Sequence, residues 1–387
     1  MPRLVLKDFR PVYVVGVGLH PYQRSSDLSF VTLGLTAVRS ALLDAGVDWP
    51  QVESAYVGTT RLGMAVARPM LRHLGVTGIP MTQVENASAS SASAFRLAVQ
   101  EVAAGFAELS LAAGVDKVGT GVRAESLTGL EPPDRGLTFP ASRYALLAEE
   151  YLAGSGATAR DLARVAVKNH RNGSMNPFAQ RQKERTLDEV LADEPIAGSL
   201  TRLQCCPVGE GASAVIVGSG EAIDRLGIAR ERCVQVLASA QGSERLYGTK
   251  SFDAELTRVT TADALAQARL TPSAVDVVEL HDAFSIEELQ YVEAMGLCPP
   301  TEAAGRLADG EFDIGGRVAV SPSGGLIAMG HPIGPTGTGQ VAETVRQLRG
   351  EAGLRQQPNA RIGLTHLVGV GAVCLVHVLA APGSGDD

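Results

Sequence analysis

Residues 321–340 read SPSGGLIAMGHPIGPTGTGQ, and the fold turns on how this stretch is understood. It is dense in glycine, sets His331 between Gly330 and Pro332, and runs into a helical pattern at 339–349. Glycine permits positive φ and close backbone approach, so such a loop can bring an imidazole and several N–H groups to one point. Its spacing does not match the glycine motifs that cradle phosphates. By itself it also suits a tight structural turn, so the surrounding sequence has to decide.

Around it, near-continuous apolar runs alternate with helical periodicity, the pattern of an α/β fold with buried strands. Strands are expected at 12–18, 54–59, 109–118, 213–219, 233–240, 277–284, 361–368 and 372–379. Helices are expected at 31–46, 92–105, 143–154, 159–171, 254–268, 286–295 and 339–349. The order repeats: each half opens with a strand, adds an Ala/Leu-faced helix and a second strand, and closes with apolar strands. This divides the chain into 1–220 and 230–382, with a more polar insertion at about 119–200 that reads as a loop domain, the kind of excursion that often holds substrate.

A second histidine stands in VELHDAFSIEEL. A buried strand is expected to end at His281–Asp282, with a capping box of Ser285 and Glu288 opening the next helix. Residues just past strand C-termini face the ligand crevice of an α/β sheet. A third stretch, THLVGVGAVCLVHVL, puts His366 three residues before a Gly369–Val370–Gly371 turn, whose N–H groups can serve an oxyanion or close a simple hairpin. The fourth is VENASASSASAF (84–95), a run of small side chains at a helix start. It calls for two backbones in close contact or for a hydroxyl presented at a helix N-terminus.

Composition narrows the alternatives. Of 387 residues, 45% are hydrophobic and only 4% aromatic, with a net charge of −8, which argues against a nucleic-acid partner. No stretch approaches the roughly 20 apolar residues of a membrane span. The N-terminus runs into a strand without a signal-peptide pattern, so a cytoplasmic location is expected. The five cysteines form no CxxC pair, so neither a metal site nor a disulfide framework is expected.

Taken together, VENASASSASAF, HDAFS, SGGLIAMGHPIGPTGTGQ and the glycine turn near the C-terminus resemble the thiolase superfamily, most closely the sterol carrier protein-type and archaeal acetyl-CoA acetyltransferase-like members. CCPVGEGASAVIVGS resembles the stretch that ends the family's first half, with Glu210 where Asp is more usual. VKNHRNGSMNPFAQ resembles part of its loop domain. The resemblance implies a duplicated five-layered αβαβα body, a homodimer, and acyl-CoA as substrate, with CoA as no permanently bound cofactor.

It also implies site residues. Ser88 falls where the family carries its nucleophilic Cys; a helix N-terminus favours a thiolate there, whereas a Ser hydroxyl needs a general base. His331 would activate the nucleophile, His281 would hold the enolate oxygen, and N–H groups at Ser88 and Gly371 would form the oxyanion hole, with Gly369 shaping the turn. His366 falls where many thiolases carry a second Cys, and is either catalytic or structural. Three accounts of Ser88 stand side by side: an engineered replacement of Cys, a nucleophile forming an oxyester, or a chemistry without a covalent intermediate. The expected function is Claisen-type condensation or thiolysis. Its alternatives are a thiolase-like retro-aldolase with a small OB-fold and zinc-ribbon companion, and a silent thiolase-fold binding subunit.

Overall fold

The computed structural model describes residues 4–118, 140–244, 252–369 and 373–384. The first half runs β1 (Val12–Gln23), α1 (Phe30–Ala45), β2 (Ser54–Gly58), α2 (Ala67–Leu71), β3 (Met81–Val84), α3 (Ser90–Ala103) and β4 (Leu109–Asp116). An insertion follows, with α4 (Pro140–Ser155), α5 (Ala159–Ser174), α6 (Leu187–Leu191) and the short strands β5 (Pro195–Ala197) and β6 (Leu200–Thr201). β7 (Glu210–Ser219) and α7 (Gly220–Leu226) close the half. The second half runs β8 (Val234–Ser243), α8 (Phe252–Ala268), β9 (Val277–Glu279), α9 (Ser285–Ala294), α10 (Ala303–Ala308) and β10 (Ala319–Val320). It ends with α11 (Gly325–Ala328), α12 (Thr336–Leu348), β11 (Ile362–Gly369) and β12 (Val373–Ala380).

Ten strands pair in the order β10-β9-β11-β12-β8-β1-β7-β4-β2-β3. Counted outward from the centre, both halves give the same order: first strand, last, fourth, second, third. Among the described residues the halves join through Tyr13↔Gln235 and Val14↔Val234, an antiparallel seam between β1 and β8.

Burial shows why the repeat forms layers. Phe95, Val99 and Val102 of α3 and Val341 and Val345 of α12 pack with Val14, Val217, Val236 and Leu379 from the two half-sheets, so both helices lie between them. On one outer face Leu33, Val38 and Leu42 of α1 cover Leu111 and Ile216. On the other, Leu256 of α8, Ile286 and Leu289 of α9 and Leu162 of α5 cover Val278 and Val376. Helix, sheet, helix, sheet and helix make the five-layered αβαβα body that the resemblance implies.

The central helix pair needs small residues. A Cβ on Gly337 would lie 2.4 Å from the Ala92 nitrogen, and one on Gly114 would lie 2.4 Å from the Pro335 Cα. Thr338 N–H donates to Ser91 Oγ at 3.0 Å. The N-termini of α3 and α12 therefore touch, and this brings the two motif loops together.

Several boundaries differ from expectation. The strand expected at 277–284 stops at Glu279, because the next residues turn into the site. β3 and β10 were not anticipated, being too short to show a period. α12 starts at Thr336 rather than 339, its glycines tolerated because Ala92 of α3 leaves no room for a side chain at Gly337 and Tyr22 of β1 leaves none at Gly339.

Candidate active site

The loop between β3 and α3 presents Ser88, which is 5% exposed. Ala87 immediately before it has φ 49°, a left-handed conformation that costs a non-glycine residue about 1–2 kcal/mol. Local hydrogen bonds hold that turn. Ala87 N–H donates to Glu85 Oε1 at 2.8 Å. Asn86 N–H donates to Ser90 Oγ at 2.8 Å, and the Ser90 hydroxyl donates to Ala87 O at 2.6 Å.

The Ser88 hydroxyl lies 3.1 Å from His331 Nε2. His331 Nδ1 lies 2.8 Å from Thr336 Oγ1, and the Thr336 hydroxyl donates to Pro332 O at 2.7 Å. A threonine hydroxyl has one proton. With that proton directed to Pro332 O, Oγ1 can only accept from Nδ1–H, so Nε2 carries the lone pair that faces Ser88. Burial, with His281 and Arg61 nearby, holds the His331 imidazole well below its usual range. A neutral base thus stands against a buried hydroxyl.

His281 approaches edge-on, its ring centroid 5.3 Å from that of His331. Its Nδ1–H donates to Glu287 Oε1 at 2.9 Å, and among the described residues its buried Nε2 has no partner. Glu287 also accepts from Tyr291 OH at 3.1 Å and from Phe284 N–H at 2.9 Å. The capping role expected of Glu288 therefore belongs to Glu287, because Glu288 turns inward to Lys168, with Oε1 at 3.1 Å from Nζ.

His366 is fully buried on β11. Its Nδ1 accepts from His281 N–H at 3.4 Å, and its Nε2 lies 2.9 Å from Thr257 Oγ1. Both ring nitrogens are thus engaged by protein groups, and burial holds the imidazole well below its usual range. Gly369 ends β11 where a Cβ would lie 2.6 Å from Asn86 O, so the end of this strand meets the Ser88 loop only without a side chain. Gly371 lies outside the described residues.

Buried polar side chains missed in the sequence clamp these loops. Asp116 accepts from Thr59 Oγ1 (2.8 Å), Thr60 Oγ1 (2.6 Å), Arg61 N–H (2.9 Å) and Gly334 N–H (2.6 Å), tying the His331 loop to the end of β4. From the insertion, Asn169 donates to Asp282 Oδ2 at 2.6 Å, Asn172 to Ser321 O at 3.2 Å and Asn176 to Ser323 O at 2.9 Å. That spacing on α5 and just beyond it, in VKNHRNGSMN, was the available signal. Glu279 accepts from the Ser323 hydroxyl at 2.6 Å, and burial pushes its carboxyl up to about 7. No cysteine competes with Ser88 as a thiolate: burial pushes Cys205, Cys206, Cys298 and Cys374 up to about 12 and Cys233 up to about 11. Among the described residues no group of three His, Cys, Asp or Glu could hold a metal ion, and no helix is long and apolar enough to cross a membrane.

The internal repeat coincides with two family models. "Thiolase, N-terminal domain" matches residues 12–221 and "Thiolase C-terminal domain-like" matches 238–380. The chain belongs to the thiolase family. It is 36% identical over 378 residues to the benzoylsuccinyl-CoA thiolase subunit BbsB of Thauera aromatica, covering 95% of this chain and 96% of that protein. It is 37% identical to the acetyl-CoA acetyltransferase of Methanothermobacter thermautotrophicus, covering 96% of this chain and all of that one. It is 35% identical to sterol carrier protein 2 of Gallus gallus, covering 98% of this chain and 73% of that one. Among solved structures, the Ltp2-ChsH2(DUF35) aldolase superposes with a TM-score of 0.85 at 26% identity, over 96% of this chain and 98% of that one.

Proposed function

We propose that this protein makes or breaks a carbon–carbon bond in acyl-CoA thioesters by acyl transfer through Ser88. The carrying observation is the chain Ser88–His331–Thr336, which sets a lone pair against the hydroxyl. As Ser88 Oγ attacks the thioester carbonyl carbon, His331 Nε2 takes its proton. The C–S bond then breaks, and the CoA sulfur leaves with that proton as the thiol. An oxyester remains on Ser88. His281 Nε2 takes the α-proton of a second acyl-CoA, and the Glu287 carboxylate stabilises the resulting imidazolium. The carbanion attacks the ester carbonyl, the Ser88 alkoxide is released, and the proton gained by His281 balances the restored hydroxyl. Thiolysis is the same sequence reversed. The N–H groups of Ser88 and Gly371 are the proposed oxyanion donors. His366, with both nitrogens occupied, acts by positioning the His281 backbone.

A second reading is retro-aldol cleavage of a β-hydroxyacyl-CoA with an OB-fold and zinc-ribbon companion. It is favoured by the similarity to the Ltp2-ChsH2(DUF35) aldolase and by the absence of a thiol at position 88. There His331 Nε2 would take the β-hydroxyl proton as the Cα–Cβ bond breaks to a carbonyl product and an acyl-CoA carbanion, and that proton would then return to the carbanion's α-carbon. The pair of imidazoles, one held by a buried carboxylate, favours the first reading and speaks against an idle binding subunit. Among the described residues β3 ends the sheet without a further partner, which supports self-association as a homodimer, since an unpaired strand edge invites pairing.

Product analysis separates the two reactions. A β-ketoacyl-CoA with CoA should give two shorter acyl-CoAs. A protein that leaves it untouched but releases an aldehyde or ketone from a β-hydroxyacyl-CoA is the aldolase.

A further inference from the structure

On the insertion side of the molecule a cavity of about 250 Å³ is lined by Arg24, His170, Arg181, Lys183, Arg185 and Arg202, together with Leu203. Among the described residues no carboxylate lines it. Two of the cations have nearby partners: Arg202 pairs with Asp193 at 2.8 Å, and Arg185 stands 3.6 Å from Glu189. Among the described residues, Arg24, Arg181 and Lys183 make no ion pair. The Arg181 guanidinium instead donates through one nitrogen to Cys205 O at 2.9 Å and Ile327 O at 3.0 Å. A guanidinium taken out of water without an anion is costly, and so many like charges around one small cavity repel each other.

Two orphaned atoms point the same way. His170 is 1% exposed. Its Nε2–H donates to Leu203 O at 3.2 Å, which leaves the Nδ1 lone pair, and that atom has no partner among the described residues. Arg185 Nε is likewise buried without an acceptor. A cavity of several N–H donors plus one lone pair suits a hydrogen phosphate: its oxygens accept from the guanidinium forks, and its P–O–H donates to His170 Nδ1.

We propose that this cavity is a binding site for a phosphate group. Its place gives it a consequence for the active site. Gln180 and Arg181 pair through their backbone N–H groups with Met329 O at 2.9 Å and Ala328 O at 3.0 Å, two residues from His331. An anion held by Arg181 therefore stiffens the strip of chain on which the His331 loop rests. Two sources carry this chemistry: the ribose phosphate of the CoA nucleotide, or a free phosphate. The site stands on its own geometry, and only the first source rests on the proposed acyl-CoA chemistry.

The test is calorimetric binding of inorganic phosphate, which needs no turnover. Wild type is compared with the double variant Arg24→Gln/Lys183→Gln, both exposed positions, and with Arg39→Gln/Arg72→Gln, which removes the same charge from residues that do not line the cavity. The pocket variant should bind phosphate at least about tenfold more weakly, as expected for lost charge-assisted contacts, while the control pair binds as wild type. Displacement of phosphate by CoA but not by dephospho-CoA, which lacks the ribose phosphate, assigns the site to the substrate nucleotide. Simultaneous binding of phosphate and CoA assigns it to a free phosphate. No measurable binding of phosphate by wild type, or equal weakening in both double variants, overturns the proposal.

Discussion

Thr336→Val tests the tautomer on which the chemistry depends. Valine keeps the branched shape but removes the acceptor 2.8 Å from His331 Nδ1 and the donor 2.7 Å from Pro332 O. A buried N–H left without an acceptor costs about 1–3 kcal/mol. That penalty falls only on the form protonated at Nδ1, so the imidazole escapes it by moving its proton to Nε2, where it can no longer accept from Ser88. Most of the penalty therefore appears in the barrier, and the rate of Ser88 acylation should fall about ten- to a hundredfold, each tenfold corresponding to about 1.4 kcal/mol. The assay is the single-turnover rate of mass gain with an acyl-CoA. Thr336→Ser, which keeps the hydroxyl, should retain most of the rate. A valine variant within about twofold of wild type would refute the assignment of the proton to Nδ1.

Other outcomes follow from the same geometry. His331 works as the neutral base and its proton affinity is lowered, so its active form persists into more acidic solution. The acid limb of kcat/KM should therefore lie below the ordinary imidazole value of about 6.5, and a limb at or above that value contradicts the assignment. Glu287→Gln removes the anion 2.9 Å from His281 Nδ1; condensation should slow about tenfold or more while acylation of Ser88 stays near wild type, since only the second proton transfer uses that pair. Gly337→Ala places a Cβ 2.4 Å from the Ala92 backbone nitrogen. Thermal unfolding should show a loss of about 1–3 kcal/mol together with loss of activity, whereas an unchanged melting temperature would mean that the two helices are less closely packed.

The sequence carried the motif positions better than their supports. Ser88, His281 and His331 sit in stretches whose small and glycine residues are unusual enough to read, and the structure brings these three side chains together. Their partners were hidden because they are ordinary residues whose role depends on where the chain turns. Thr336 is one of several small residues in a glycine loop, and Glu287 stands beside Glu288, which looked equally able to cap α9. Only the backbone shows that Glu287 faces His281 while Glu288 reaches Lys168. The repeat was legible because strands such as 213–219 are long apolar runs, whereas β10 is two residues long and has no period to detect. His366 read as a replacement for a thiol, but a sequence cannot show that both its nitrogens are occupied.

The most direct test of the account is intact-mass and peptide-level analysis of the protein after exposure to an acyl-CoA, alongside Ser88→Ala and Ser88→Cys. The account predicts an acyl group on Ser88 itself, absent from the alanine variant and formed faster on the cysteine one. An adduct confined to Ser88→Cys would make Ser88 a silenced nucleophile position. No adduct on any of the three, with carbonyl product released from a β-hydroxyacyl-CoA, would contradict acyl transfer through position 88.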